Sequence, residues 1–304
     1  MAREATYSVI ISPEDFNKIN THQHLYIKAS DIIIAKLIEE IRKKLGREIE
    51  VVEIGCGPAR ISERIANVGG VNLTSIDHDQ NFIDFAKKKI KKKNLLFLKR
   101  DIENYKHPKK VDIFVSQGVH HHIAKPPKYL LNVKKQLHEN GVFILSDEFL
   151  PNYNSEEERR EKAVIWYSHI ISHAKQHNFK FLAQEEAKTL LDELNTQIDE
   201  SRIKTKEQID LVLNFVDEID KFARNGDLTK ARKLAHLFLK EISKIYNYDL
   251  SGDSALDLSR GDYKICDKAF RKEIESAGFF VEKIKNVGPI DIIGAMVVYV
   301  LKKK

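Results

Sequence analysis

The residues best placed to do chemistry fall in the first half of this 304-residue chain. In "VVEIGCGPAR", Val51 to Arg60, an apolar run breaks into Gly55-x-Gly57. Two glycines there let the backbone turn sharply and approach a ligand with no Cβ in the way, beside a helix N-terminus. About 20 residues further on, "TSIDHD" ends a second apolar run on Asp77, a carboxylate able to accept from the two hydroxyls of a ribose. A third run, in "FLKRDIENY", ends on Asp101, an acceptor suited to an exocyclic adenine amine. Each acid alone reads equally well as an ordinary strand-end carboxylate; the three together form a far more specific set. The glycine spacing departs from G-x-G-x-x-G, since Arg60 stands three after Gly57, which weighs against a nicotinamide cofactor.

Histidines form the second group. "VSQGVHHHIAKPP" places His120, His121 and His122 in a row. Adjacent side chains cannot all point one way, so a three-ligand metal site from this run alone is sterically disfavoured. A single ring facing a pocket can take a proton from an attacking oxygen or nitrogen. "WYSHIISHAKQH" spaces His169, His173 and His177 at i, i+4 and i+8. Without a nearby carboxylate motif this spacing reads first as an exposed polar stripe, and no metal is assigned. If that helix closes over a site, Trp166, Tyr167 and His173 are candidates for substrate contact. His22, His24 and Tyr26 in "THQHLYIK" could close the same pocket from the other side.

The elements that must position these residues alternate. "THQHLYIKASDIIIAKLIEEIRKKLG" predicts a helix over 21–45, with Leu25, Ile32, Ile33, Leu37, Ile41 and Leu45 near one face and a shorter helix before it near Pro13 to Ile19. Then strands ("IEVVEIG", "VNLTSID", "NLLFLKRD", "VDIFVS", "GVFILSDEF") alternate with helices ("ARISERIANVGG", "DQNFIDFAKKKIKKK", "PKYLLNVKKQLHEN"). That grammar means right-handed βαβ units and a doubly wound, mostly parallel sheet covered on both faces. After Pro151 the runs are helical only, to about Tyr246, with Asn225-Gly226 closing one helix and Asp227 capping the next. A polar loop, "SGDSALDLSRGD", leads to a last helix, "DKAFRKEIESAGF", and two strands. The expected organisation is therefore an N-terminal helical cap (1–46), a Rossmann-like core (47–150), a helical insertion or lid (151–250) and completion of the core (251–304). Insertions at the carboxyl edge of such sheets lie over the ligand crevice.

Composition bounds the rest. With 42% apolar and 32% charged residues the chain is globular in class. Its two cysteines, Cys56 and Cys266, form no CxxC pattern and suit a reducing compartment. No run of about 18 apolar residues and no apolar leader occurs, so a cytoplasmic protein without a membrane span is expected. The net charge of +6 invites a nucleic-acid reading, but "AKKKIKKK" follows "NFIDF" at helical spacing and reads better as the solvated end of a surface helix.

"EIGCGPAR", "SIDHD", "LKRDIENY", "VDIFVSQGVHHHI" and "LLNVKKQLHENGVFILSDEF" resemble the successive motifs of the class I S-adenosylmethionine-dependent methyltransferases, particularly the small-molecule branch. The resemblance spans about Glu50 to Phe149, and "FRKEIESAGFFVEKI" is similar to the family's last helix and strand. It implies a seven-stranded Rossmann-like sheet whose last strand is antiparallel. It also implies that Glu53, Gly55 and Gly57 border the methionine moiety of S-adenosylmethionine, Asp77 the ribose, Asp101 and Ile102 the adenine, and Ser116 and Gln117 the sulfonium, with Cys56 and His78 also among the cofactor-binding residues. Ala59 departs from the family where a third glycine is common. His121-His122 is a common family pair, whereas His120 stands at a usually apolar position, which makes it a candidate catalytic ring with His121 and His173. The activity implied is methyl transfer to an O or N nucleophile of a small molecule, giving S-adenosylhomocysteine. A homodimer through the insertion is a further expectation. Three rivals stay open: attack at another sulfonium carbon giving methylthioadenosine, a nucleic-acid methyltransferase, and a non-catalytic cofactor-binding regulator.

Overall fold

The apolar runs pair in the order that βαβ handedness requires. The computed structural model describes residues 12–14, 16–17, 25–123, 126–176, 206–246, 264–287 and 293–304. Strands β1 (Ile49–Ile54), β2 (Val71–Asp77), β3 (Leu95–Lys99), β4 (Val111–Gln117), β5 (Leu137–Phe149), β6 (Phe279–Asn286) and β7 (Ala295–Lys303) form one sheet in the order β3-β2-β1-β4-β5-β7-β6. β1 lies parallel between β2 and β4, β3 joins β2, and β5 joins β4, also in parallel. β6 and β7 pair antiparallel. The order reverses between β1 and β4, and a crevice forms at the carboxyl ends of strands beside such a switch point.

Helix α1 (Leu25–Leu45) covers one face together with α2 (Arg60–Ala66). Their Ile34, Leu37, Ile38, Ile61 and Ile65 pack on Ile49, Val51, Leu73, Ile113, Val115, Val142 and Ile144, every second residue of each strand. The buried stripe of α1 centres on Ile34 and Ile38, each 0% exposed, whereas Ile32 and Leu45 are exposed. Leu37 is buried and Ile33 and Ile41 pack against the core as the spacing predicts; the correction concerns Ile32, which 100° steps rotate off the line of Ile27, Ile34 and Ile38, and Leu45 at the helix end. The opposite sheet face carries aromatics: Phe143 lies 6.4 Å from Tyr129 of α4 (Pro126–Gln136), and Tyr299 lies 4.8 Å from Phe270 of α8 (Asp267–Ser276).

Two helix ends differ from expectation. Helix α3 (Gln80–Lys89) stops before Ile90, which takes an extended backbone to bury its side chain with Ile83 and Phe97. Lys91 to Lys93 therefore follow the helix instead of ending it. Likewise "LHEN" is strand, not helix, because Leu137 is buried in register with Val111.

Among the described residues, contacts divide the chain into two units: one drawn from Thr6–Glu148, Lys268–Gly288 and Met296–Lys304, the other from Phe149–Asp267 and Pro289–Ala295. Among the described residues the core resumes at Lys268. The second unit contains α5 (Glu156–Gln176), α6 (Lys206–Arg224) and α7 (Leu228–Tyr246). Gly226, at φ 78°, ends α6, and Asp227 caps α7 by accepting from the Lys230 amide at 3.1 Å. The expected helix "QEEAKTLLDELNTQI" and the loop "SGDSALDLSRGD" lie outside the described residues.

Truncating Ile38 to Ala should cost about 2–5 kcal/mol, seen as a fall in Tm. The Ile32→Ala variant on the same helix should stay within about 0.5 kcal/mol of the parent.

Candidate functional site

Glu53, Asp77 and Gln117 continue the alternation that buries Val51, Leu73 and Val115, so they stand on the α1/α2 face at the carboxyl edge of the sheet. Glu53 is 1% exposed. Its Oε2 accepts from the hydroxyls of Ser62 and Ser75 at 2.6 Å each. Its Oε1 is buried with no hydrogen-bond partner among the described residues. Burial pushes this carboxyl up to about 7, against the two hydroxyls and Arg60, which favour the charge.

Asp77 ties the two strand-end loops together. Oδ2 accepts from the Gly57 amide at 2.8 Å and Oδ1 from the Asp79 amide at 2.9 Å. Asp79 in turn caps α3 by accepting from the Asn81 amide. Burial pushes the Asp77 carboxyl up; the Asp79 amide, His78 and the Gly57 amide oppose it, with His78 Nδ1 at 3.6 Å. A carboxylate has about four lone-pair sites, so each oxygen keeps capacity for a ligand hydroxyl.

The loop between them needs left-handed backbone. Gly55 has φ 66°, and a Cβ there would lie 2.4 Å from Val119 Cγ2. At Gly57, φ 48°, a Cβ would meet only Phe16 among the described residues, at 3.9 Å. Ala59, φ 61°, is the one non-glycine with positive φ among the described residues. The buried Cys56 thiol is pushed up by burial and stays neutral. Asp101 turns the chain after β3, accepting from the Glu103 amide at 2.7 Å, with Ile102 buried behind it.

Ser116 is buried with an Oγ that has no hydrogen-bond partner among the described residues. Gln117 is held in a network that the sequence reading missed. Its amide nitrogen donates to Asp31 at 2.8 Å and to Ser30, and its oxygen accepts from Arg60 at 2.7 Å. Arg60 also pairs with Asp31. Thus α1, α2 and β4 meet through one neutralised ion pair.

The three histidines take different roles. His120 is 2% exposed, and both its ring nitrogens are engaged, Nδ1 with the Tyr129 hydroxyl and Nε2 with Glu273 of α8 at 3.0 Å. Phe270 meets the ring edge-on at 5.0 Å. This ring pins α4 to α8, which corrects the expectation that it faces the acceptor. His121 Nδ1 pairs with Asp147, at the end of β5, and its amide donates to the same carboxylate at 3.3 Å. Burial raises the Asp147 carboxyl, but His121, His120 and the Glu148 amide overcome it and hold it at about 2. Asp147 was visible only as the acid of "LSDEF"; nothing in the sequence pairs it with His121. The His122 ring meets that of His121 tilted by 55°, with centroids 3.9 Å apart.

In the helical unit, His169 is buried and meets Asp220 of α6 at 2.9 Å, so it belongs to no solvent-facing stripe. Trp166 is 1% exposed. Its ring lies 6.4 Å from His169, packed among protein atoms. Tyr26, Tyr167 and His173 lie on α1 and α5 with side chains outside the described residues, as are His22, His24 and His177 altogether. Glu157, Glu161 and His236 bring metal-capable atoms within 4.8 Å of one another. However, Arg232 Nε already takes Glu161 at 2.9 Å. No described helix is long and apolar enough to cross a membrane.

A family model described as "Methyltransferase domain" matches residues 45–218. A ubiquinone biosynthesis O-methyltransferase of Rickettsia akari (strain Hartford) is 29% identical over 118 residues, 38% of this chain and 46% of that protein. A malonyl-(acyl-carrier protein) O-methyltransferase 2 of Ilyobacter polytropus is 26% identical over 208 residues, 67% of this chain and 77% of that protein. The chain thus spans less than half of the first relative's length and about three quarters of the second's. Among solved structures, human N-acetylserotonin methyltransferase in complex with SAM aligns with a TM-score of 0.50 at 12% identity, covering 100% of this chain and 60% of that one. The methyltransferase solved with the Haloferax volcanii Trm112 activator aligns with the same score and identity over 100% and 99%. At such identity the likeness establishes the fold.

Three outcomes follow. Gly55→Ala should lower stability through its clash with Val119, whereas Ala59→Gly should stabilise by about 0.5–1 kcal/mol; denaturant midpoints distinguish them. His120→Gln should lower Tm and leave ligand affinity within twofold, a comparison calorimetry makes. Because the Glu53 carboxyl is raised from 4.5 to about 7 on folding, its contribution is full below pH 4.5 and is lost as pH rises through about 7. The loss is about 3 kcal/mol, and a Glu53→Gln variant should lack that slope in pH-resolved unfolding.

Proposed function

The chain belongs to the methyltransferase-domain family of class I S-adenosylmethionine-dependent enzymes, and from that premise we propose that it methylates an oxygen or nitrogen of a small or medium-sized molecule. The observation that carries this reading is the cradle at the β1–β2 edge: an orphaned buried acceptor on Glu53, left-handed backbone at Gly57, and Asp77 with spare lone pairs beside them.

The residues fit the cofactor. Glu53 Oε1 suits its ammonium group, Asp77 its ribose hydroxyls, Asp101 and Ile102 its adenine, and the Gly55–Gly57 backbone its approach. When bound, S-adenosylmethionine supplies a methyl group on a positively charged sulfur, open to displacement by a lone pair. Little covalent chemistry falls to the protein, so its work is alignment in a dry pocket and removal of the acceptor's proton. Of the histidines we assign that proton to His121, which Asp147 fixes in tautomer and orientation through Nδ1. Asp147 is then a positioning residue. The relatives' names, both O-methyltransferases, support oxygen as the attacked atom.

The helical unit leaves the chain at the carboxyl end of β5, the edge where the cradle stands, and we assign it the enclosure of the acceptor. A discrete molecule suits such an enclosure better than a polymer laid on an open surface.

Calorimetry with S-adenosylmethionine and S-adenosylhomocysteine is the first test. Both should bind one to one, and Asp77→Ala should weaken both by about ten- to a hundredfold; no binding by either ligand sinks the reading. In an acceptor screen, chromatography should show S-adenosylhomocysteine as product, whereas methylthioadenosine would mean attack at another carbon. With a turned-over acceptor, His121→Gln and Asp147→Asn should each lower kcat at least about a hundredfold at unchanged cofactor affinity.

A further inference from the structure

We propose that binding of the cofactor, or of its demethylated product, to this chain expels one proton from Glu53. The inference rests on the family reading above and concerns what the protein's own charges do when the ligand arrives. Among the described residues, Ser62 and Arg60 face the Glu53 carboxyl from α2, Ser75 and Asp77 from β2, and Cys56 from the loop after β1. Of these only Arg60 is cationic, and its guanidinium is already taken by Asp31 of α1 and by Gln117 of β4. Asp77 adds a negative charge on the same face, and Cys56 stays a neutral thiol. Among the described residues, therefore, no uncommitted cation faces an ionised Glu53, and one of its oxygens accepts nothing.

A buried carboxyl without a counter-charge keeps its proton well above the usual carboxylate range. An incoming ammonium group supplies both the cation and the missing donors, which favours the ionised form. The O–H bond of Glu53 breaks, its proton passes to buffer, and an N–H of the ligand takes its place on the carboxylate. By linkage, affinity should fall as pH drops below about 7, approaching tenfold per pH unit, and level off above it.

The test is calorimetry of S-adenosylhomocysteine binding to the full chain at about pH 6 and about pH 8, each in two buffers of different ionisation enthalpy. The wild type should release about one proton per ligand at the lower pH and close to none at the higher. Glu53→Gln should release none at either pH, with affinity independent of pH once the ligand's own titration is accounted for. Ser75→Ala, which keeps the carboxyl but removes a hydroxyl that favours its charge, should move the transition to higher pH. Binding without proton release, or a pH slope that survives Glu53→Gln, overturns the proposal and leaves the family reading standing. Complete absence of binding overturns both.

Discussion

The site hangs on one carboxylate. Asp77 accepts the amide of Gly57 with one oxygen and that of Asp79 with the other, and so fixes the loop after β1 against the loop after β2. Both loops sit at the ends of parallel strands, where backbone amides have no ladder partner and need an acceptor. Asp79 carries the restraint into α3 as its cap, and α3 returns it by packing Ile83 and Ala86 with Cys56 and Ala59. The same acid thus gives the loop after β1 its shape. The left-handed backbone at Gly55, Gly57 and Ala59 is the conformational cost of that turn.

Polar groups on the α1/α2 face form two hydrogen-bonded sets, one around Glu53 and one around Arg60. Glu53, Ser62, Ser75, Asp31, Arg60, Gln117 and Ser30 lie at the carboxyl edge, beneath which the same face is aliphatic. The Arg60–Asp31 pair is weak support for stability, since desolvating two charges offsets most of their attraction. Its use is registry: it fixes α1 against the end of β4 through Gln117, so the helix preceding the sheet becomes part of the wall around the site. Arg60 favours the Glu53 charge as well, but its pull and the two hydroxyls do not overcome the burial that raises that carboxyl.

Three consecutive histidines end up in three environments because a 3-10 turn rotates successive side chains by about 120°. His120 is driven between α4 and α8, where an aromatic contact and two hydrogen-bond partners absorb it. His121 turns toward β5 and meets Asp147. The pair is a buried carboxylate holding an imidazole, an arrangement that fixes a tautomer and raises basicity. Proximity in sequence thus says nothing about shared function here.

The sequence by itself determined the strand and helix alternation, and with it the parallel sheet, the switch point between β1 and β4, and the acids at the ends of β2 and β3. These follow from local periodicity and from the handedness of βαβ connections, which need no knowledge of distant contacts. It also placed Gly226 and Asp227 at a helix boundary, since caps are local chemistry. What only the tertiary structure decided was partnership. That Asp147 belongs with His121, Glu273 with His120, and Asp31 with Arg60 depends on pairs separated by 26, 153 and 29 residues. The stripe on α1 and the ends of α3 and α4 were likewise settled by which apolar side chain, Ile34, Ile90 or Leu137, found a buried position. Burial is a property of the assembled chain, so a titratable group's charge, and hence its chemistry, is fixed by neighbours that only folding brings to it.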